Sequence, residues 1–319
     1  MDVMDVLKDI DPIPFLSALD GLHDCSCCPR ACHADRFSGK TGYCNCDAYF
    51  NISSICIHRG EEPAISGPDG ICNVFFGHCN LQCIYCQNYQ ISDNLANGYH
   101  YTLRGIINDI VSILDRGVPA LGFVSPTHQL PQMKVIIDIL RALDRKPIIV
   151  YNTNGYDKVE ELRKLEGVVD VYLPDFKYID AHLGKLYSGV NNYPEVALEA
   201  IREMYRQKGS TVVYRRDGMA ESGLIIRHLV LPGHVENSTG VLECIARELS
   251  PSVTISLMSQ YYPTCRVKDH PVLGRRITLA EYSQLVRRME ALGFYKGWIQ
   301  DMESASLFEP DFEREEPFD

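Results

Sequence analysis

The 319-residue sequence has no apolar run approaching the ~18 residues that a membrane-crossing helix needs, so no membrane partner is expected. It is short of basic charge, with 31 Lys and Arg against 42 Asp and Glu, a net −11. That balance excludes a broad, non-specific nucleic-acid-binding surface. It opens Met1-Asp2-Val3-Met4-Asp5, without the basic-then-apolar layout of a secretory signal, so a cytoplasmic location is expected. Neither glycine (23) nor proline (17) dominates, and 45% of residues are hydrophobic, which argues against a disordered, collagenous or coiled-coil chain. Beyond Cys86 even cysteine is scarce, with only Cys244 and Cys265.

What is abundant is cysteine before that point. Eleven of the 13 lie between Cys25 and Cys86. In a reducing compartment such a concentration points to metal rather than disulfides. Residues 1–72 are Cys-rich and turn-rich, too poor in apolar residues for a large core of their own, and read as a metal-stapled N-terminal region. Residues 303–319 hold seven acids and one Arg. The segment 301–319 is therefore read as an acidic, solvated C-terminal tail.

Between them, residues 73–300 alternate short β-branched or aromatic runs with longer helical stretches. Strands are expected at 73–77, 120–125, 147–153, 168–177, 223–230 and 254–261. Helices are expected near 102–116, 132–143, 156–166, 194–208, 238–249 and 279–293. Ile106, Ile107, Ile110 and Ile113 recur at helical spacing, as do Val135, Ile136, Ile139 and Leu140. Pro147-Ile-Ile-Val-Tyr-Asn-Thr153 is apolar without alternation, as in a parallel strand buried on both faces. Six βα units in succession give an α/β fold with a parallel sheet, wound as a barrel or as an open sheet. In either, chemistry belongs at the C-terminal ends of the strands. Polar residues gather there: Thr127 and His128, Asn152 and Asn154, Asp175 and Lys177, Arg227 and His228, Gln260 and Tyr261.

Cys79-Asn80-Leu81-Gln82-Cys83-Ile84-Tyr85-Cys86 follows directly on the first of these strands, with the spacing C-x3-C-x2-C. Three thiolates can hold three irons of a [4Fe–4S] cluster and leave the fourth open to a ligand. A zinc-bound, non-catalytic module is the rival reading of the same spacing, though zinc normally draws a fourth Cys or His nearby.

This loop resembles that of the radical S-adenosylmethionine (radical SAM) superfamily. Cys86-Gln87-Asn88-Tyr89, Leu173-Pro174-Asp175-Phe176-Lys177, Arg227-His228-Leu229-Val230-Leu231-Pro232-Gly233 and Met258-Ser259-Gln260-Tyr261 resemble the pyruvate formate-lyase activating enzyme-like group. The resemblance implies an incomplete (β/α)6 TIM-like barrel. It implies a [4Fe–4S] cluster on Cys79, Cys83 and Cys86, with SAM chelated to the open iron. An electron from a donor such as flavodoxin or ferredoxin then cleaves SAM to a 5′-deoxyadenosyl radical. That radical abstracts hydrogen from a substrate, the preferred one being a glycine of a partner enzyme. A small molecule or another peptide position is the alternative.

By the same resemblance Tyr85 packs near the adenine and Arg227 reaches SAM. Asn154, Asp175 and Lys177 complete the SAM-binding set. Where the activators carry Gly-Gly-Glu at the second strand end, this chain has Ser125-Pro126-Thr127-His128. The contact to the SAM amino group then falls to Thr127, His128 or backbone carbonyls. Where the activators have an Asp that helps bind a monovalent cation, this chain has the neutral Asn152, which leaves that cation open. Gln260 and Tyr261 stand as substrate contacts.

Cys25, Cys28, Cys32 and Cys44 form a second candidate metal set, for zinc or an Fe–S cluster, expected to be independent of the barrel cluster. Cys27, Cys46, Cys56 and Cys72 are available as substitutes. His58-Arg59-Gly60-Glu61-Glu62-Pro63 reads either as part of the group's pattern or as a solvated charged turn.

Overall fold

The computed structural model describes residues 11–96, 99–306, 310–314 and 317–318. The acidic opening, residues 1–5, and part of the expected tail lie outside them. Nine strands form one sheet in the order β1-β2-β3-β4-β5-β7-β8-β9, with β6 off this path on β7. β1 (Ile52–His58) pairs antiparallel with β2 (Ile71–Phe76), and β6 (Val213–Tyr214) pairs antiparallel with β7 (Ala220–Leu229). From β2 onward the path is parallel: β3 (Ala120–Val124), β4 (Ile148–Thr153), β5 (Val171–Pro174), β7, β8 (Thr254–Met258) and β9 (Gly297–Ile299). All six expected strands are therefore present. β9 adds a seventh parallel strand, and β1 an antiparallel edge. The expected boundary at residue 72 falls inside β2, and the chain from Ile52 already belongs to the sheet.

Each parallel step needs a crossover that returns the chain to the starting edge. The helices serve this purpose: α1 (Leu103–Leu114), α2 (Leu130–Ala142), α3 (Val159–Arg163), α4 (Ala181–Ser188), α5 (Tyr193–Lys208), α6 (Val235–Glu248) and α7 (Leu279–Ala291). Their apolar stripes face the sheet. Ile106, Ile107 and Ile110 of α1 and Val135, Ile136 and Ile139 of α2 are fully buried in one core with Val74, Phe76, Leu121 and Phe123. Leu19, Leu22 and Phe50 join this same core, so the N-terminal region is fastened to the sheet by more than its cysteines.

The sheet curls strongly. Glu61 accepts hydrogen bonds from Asn73 of β2 and Asn152 of β4 and pairs with Arg227 of β7. At about 4.8 Å per strand, β2 and β7 would lie roughly 19 Å apart in a flat sheet. One carboxylate can bridge them only across the inside of a curved wall. Among the described residues the curl does not close, because β1 and β9 remain edges.

Candidate active site

The C-terminal ends of the parallel strands surround a cavity of about 430 Å³. This is within the range of small-molecule sites. Cys79, Cys83 and Cys86 all line it. β2 hands over to their loop through Gly77 and His78. A Cβ on Gly77 would stand 2.3 Å from the Tyr99 ring, and His78 takes a left-handed φ of 65°. Backbone and amide groups then fix the loop. Asn94 accepts from the Cys79 amide (2.9 Å), and Asn154 Nδ2 reaches both Cys79 Sγ (3.4 Å) and Asn80 Oδ1 (2.7 Å). Leu81 N–H donates to Cys79 Sγ (3.3 Å) and Ser92 Oγ donates to Cys86 Sγ (3.2 Å), while Cys83 Sγ and Ser188 Oγ bond at 2.9 Å. Burial pushes the Cys79 thiol up to about 12 and the Cys83 thiol up to about 11, the latter against the pull of Lys177. N–H and O–H donors aimed at sulfur, with no carboxylate bonded to any of the three, suit soft thiolate ligands of an iron–sulfur centre. Cys79, Cys83 and Cys86 would hold three of its irons, and the cavity leaves room for a ligand beside it.

The polar strand ends form a buried ion network. Asp175 accepts from Lys177 Nζ at 2.5 Å and from Arg227 Nε at 2.8 Å. Arg227 also donates to Asn152 Oδ1 (2.6 Å) and Glu61 Oε2 (3.3 Å). Burial alone would raise Asp175, but Arg227 and Lys177 outweigh it and hold the carboxyl below its usual range. Burial would lower Lys177, yet Asp175 keeps it charged. Both Asp175 oxygens are thus engaged by side-chain cations. Arg227, expected to reach SAM, spends three of its nitrogens on protein partners.

Tyr85 lines the cavity with its ring, while its hydroxyl joins a relay: Tyr85 to Tyr178 (2.6 Å), Tyr178 to Ser188 (2.8 Å), Ser188 to Cys83. Asn154, Asp175, Lys177, Arg227 and Gln260 also line the cavity. Gln260 is held there by Gln87 and Gln300.

Three expected contacts lie elsewhere. Thr127 bonds Asp157 (2.7 Å) and Thr153, and His128 bonds the Gly77 carbonyl (2.9 Å); both are buried off the cavity. The cause is Ser125, whose left-handed φ of 54° turns the chain away from the cavity as β3 ends. Ser125 itself remains in the wall. Tyr261 is fully buried with its hydroxyl on the Leu273 carbonyl, its ring 6.1 Å from that of Tyr85, behind the wall.

Other lining residues had no clear signal. Glu61 and Glu62 are not a solvated turn; they enter the lumen from the β1–β2 connection. Glu62 is buried with Oε2 unpartnered. The tail is only partly solvated. Glu313 and Arg314 are exposed, but Phe312 meets Phe75 edge-on, Phe318 packs tilted against it and centres 4.0 Å from the His58 ring, and Phe318 lines the cavity. No helix among the described residues is long and apolar enough to cross a membrane.

Residues 73–222 match the family model of the radical SAM superfamily. This segment is similar to a radical SAM domain. Enzymes of that superfamily use a [4Fe–4S] cluster and SAM, and here the three thiols of the matching cysteine loop line the cavity. An uncharacterised protein of Methanocaldococcus jannaschii, MJ0674, is 29% identical over 277 residues, covering 84% of this chain and 74% of the relative. Streptococcus suis SuiB bound to precursor peptide SuiA aligns over 72% of this chain and 48% of its own, at 11% identity and a TM-score of 0.46. HydG, a maturase of the [FeFe]-hydrogenase, aligns over 69% and 49%, at 13% identity and 0.47. The chain spans about half the length of these two structures.

Proposed function

We propose that the chain is a radical SAM enzyme that takes hydrogen from a peptide or protein segment, a glycine of a partner enzyme being the preferred target. The observation that carries the reading is the meeting of Cys79, Cys83 and Cys86 with Asn154, Asp175, Lys177 and Arg227 around one cavity. The cluster and SAM, when bound, supply one-electron cleavage of the sulfonium and a radical that abstracts hydrogen. The chain's residues bind and orient. Asn154 ties the Cys79 loop to the end of β4. Tyr85 offers an aromatic face, and its hydroxyl relay fixes the ring. The ion network keeps fixed charges at the strand ends and needs no reorganisation. A peptide substrate is favoured because two residues of this same chain's tail, Pro310 and Phe318, already lie in the cavity wall.

Anaerobically reconstituted, reduced protein should convert SAM to 5′-deoxyadenosine, and Cys83→Ser should form none. Peptides deuterated at the glycine α-carbon should pass deuterium into the deoxyadenosine. Cleavage by Cys83→Ser refutes the cluster assignment. Deuterium transfer only from small molecules moves the substrate to the alternative class.

A further inference from the structure

The N-terminal cysteines sit on two tight turns. In one, Ala31 N–H donates to the Cys28 carbonyl (3.0 Å) and His33 N–H to the Cys25 carbonyl (2.9 Å). In the other, Asn45 N–H donates to the Gly42 carbonyl (3.0 Å). A Cβ on Gly42 would stand 2.1 Å from Cys32 Sγ, so the second turn is laid directly on the first. Ala31, His33 and Asn45 have φ of 40°, 53° and 56°, left-handed backbone that persists only where surroundings over-determine it. Cys28 is buried within electrostatic reach of Cys44, Cys25 and Cys32. Cys56 and Cys72 are not substitutes, since they lie on β1 and β2.

Arg36 gives the independent observation. It is 1% exposed. Its Nε donates to the Asp47 carbonyl and its Nη1 to the His128 carbonyl, both at 2.8 Å, with Cys25 Sγ 3.9 Å from Nη1. Its Nη2 is buried without a partner. Among the described residues no carboxylate pairs with it; the groups that act on its charge are Cys46, Cys44, Cys27 and Cys25. A buried cation needs an anion, and neutral thiols do not supply one. Thiolates gathered on a metal centre do, because four of them outweigh the charge of the core they bind. Among the described residues no three Cys, His, Asp or Glu side chains converge on a point that one ion could fill, here or at Cys79, Cys83 and Cys86. Soft thiolates without an oxygen donor suit an iron–sulfur centre, whose ligands bind different irons.

We propose that Cys25, Cys28, Cys32 and Cys44 hold a second iron–sulfur cluster, with Arg36 as its buried counter-charge. This centre keeps its own ligands, as expected from sequence, and two bridges set it against the barrel loop. Asn94 Nδ2 donates to the carbonyls of both Tyr43 (2.8 Å) and Cys79 (2.9 Å), joining the residue before Cys44 to the first cysteine of the barrel loop. Arg30, between Cys28 and Cys32, donates to the Asn80 carbonyl (2.9 Å) and lies 3.5 Å over the Tyr43 ring.

The test is iron, sulfide and zinc per chain, with the absorption near 400 nm, after anaerobic reconstitution. The parent should hold about eight irons, and the triple variant Cys79→Ser, Cys83→Ser, Cys86→Ser about four, still brown. The triple variant leaves the N-terminal turns untouched, so its result does not depend on their tolerance to substitution. Adding Cys28→Ser and Cys32→Ser to it should remove the remaining iron, whereas adding Cys27→Ser and Cys46→Ser should not. A triple variant without iron, or with zinc alone, overturns the proposal and leaves the barrel cluster standing. A parent with about four irons that the triple variant keeps would overturn the barrel assignment and uphold this one.

Discussion

Arg227 shows how a single side chain can be read correctly for place and incompletely for role. It stands at a strand end, where the βα pattern put it, yet it is clamped by Asp175, Asn152 and Glu61. Removing it leaves Glu61 without a paired cation and Asp175 with Lys177 alone, both largely buried. Arg227→Ala should therefore cost about 3–5 kcal/mol of stability, measured by urea unfolding, whereas Arg314→Ala on the exposed tail should change it by less than about 1 kcal/mol. An Arg227→Ala loss as small as the tail variant's would show that the network holds no net stability. That Cys79, Cys83 and Cys86 meet at one cavity was legible because they sit close together on the loop after the first parallel strand. Asn154, Asp175 and Lys177 were legible from position on the strands. Thr127 and His128 were not, because a left-handed Ser125 carries no mark in sequence, and that one dihedral decides where the next residues point. Glu61 and Glu62 were hidden for another reason: a charged Gly-Glu-Glu-Pro turn has the composition of a solvated loop, and only the curl of the sheet brings it inside.

Among the elements, β7 links the site to stability through pH. His228 on this strand is fully buried, bonded to the Phe176 carbonyl (2.6 Å) and Ser238 Oγ (2.8 Å). Burial lowers its pKa to about 4, from 6.5. The unfolded chain then binds a proton that the folded chain refuses, so the stabilisation is complete above pH 6.5 and is lost as pH falls toward 4. Acidification from pH 7 to 5 should remove about 2 kcal/mol through this residue, and His228→Asn should flatten the Tm–pH slope over that interval. An unchanged slope in the variant would assign the acid sensitivity elsewhere. The six core strands and their helices were legible because apolar runs and helical stripes of ordinary length mark them. β1 was missed although Ile52, Ile55 and Ile57 carry a usable pattern, because its Cys-rich surroundings suggested a loop region. β9 has three residues, too short for any periodicity to form.

At the scale of the whole molecule, the sheet is curled and unclosed among the described residues, and rings of the tail lie against its β1–β2 side. The chain leaves β9 at Ile299, and Phe312 and Phe318 lie against His58 of β1 and Phe75 of β2. The single tryptophan, Trp298 on β9, lines the same cavity and reports on this cover. The double variant Phe312→Ala, Phe318→Ala should raise acrylamide quenching of Trp298 with far-ultraviolet circular dichroism unchanged. Quenching equal to the parent's would mean that the aromatic tail does not shield the cavity.

The tail's position also bears on how such a protein can change over generations. The cysteine loop, ion network and strand ends are tied to one another by many bonds, so substitutions there propagate. The tail touches the site through a few aromatic rings and is anchored to the cysteine loop mainly by Gln90, which exchanges hydrogen bonds with Asp311 and Phe312. Away from Phe312 and Phe318, substitutions in its exposed residues, such as Glu313 and Arg314, disturb fewer bonds than those at the strand ends. The wall of the cavity is thus built from two stretches of chain that can change at different rates.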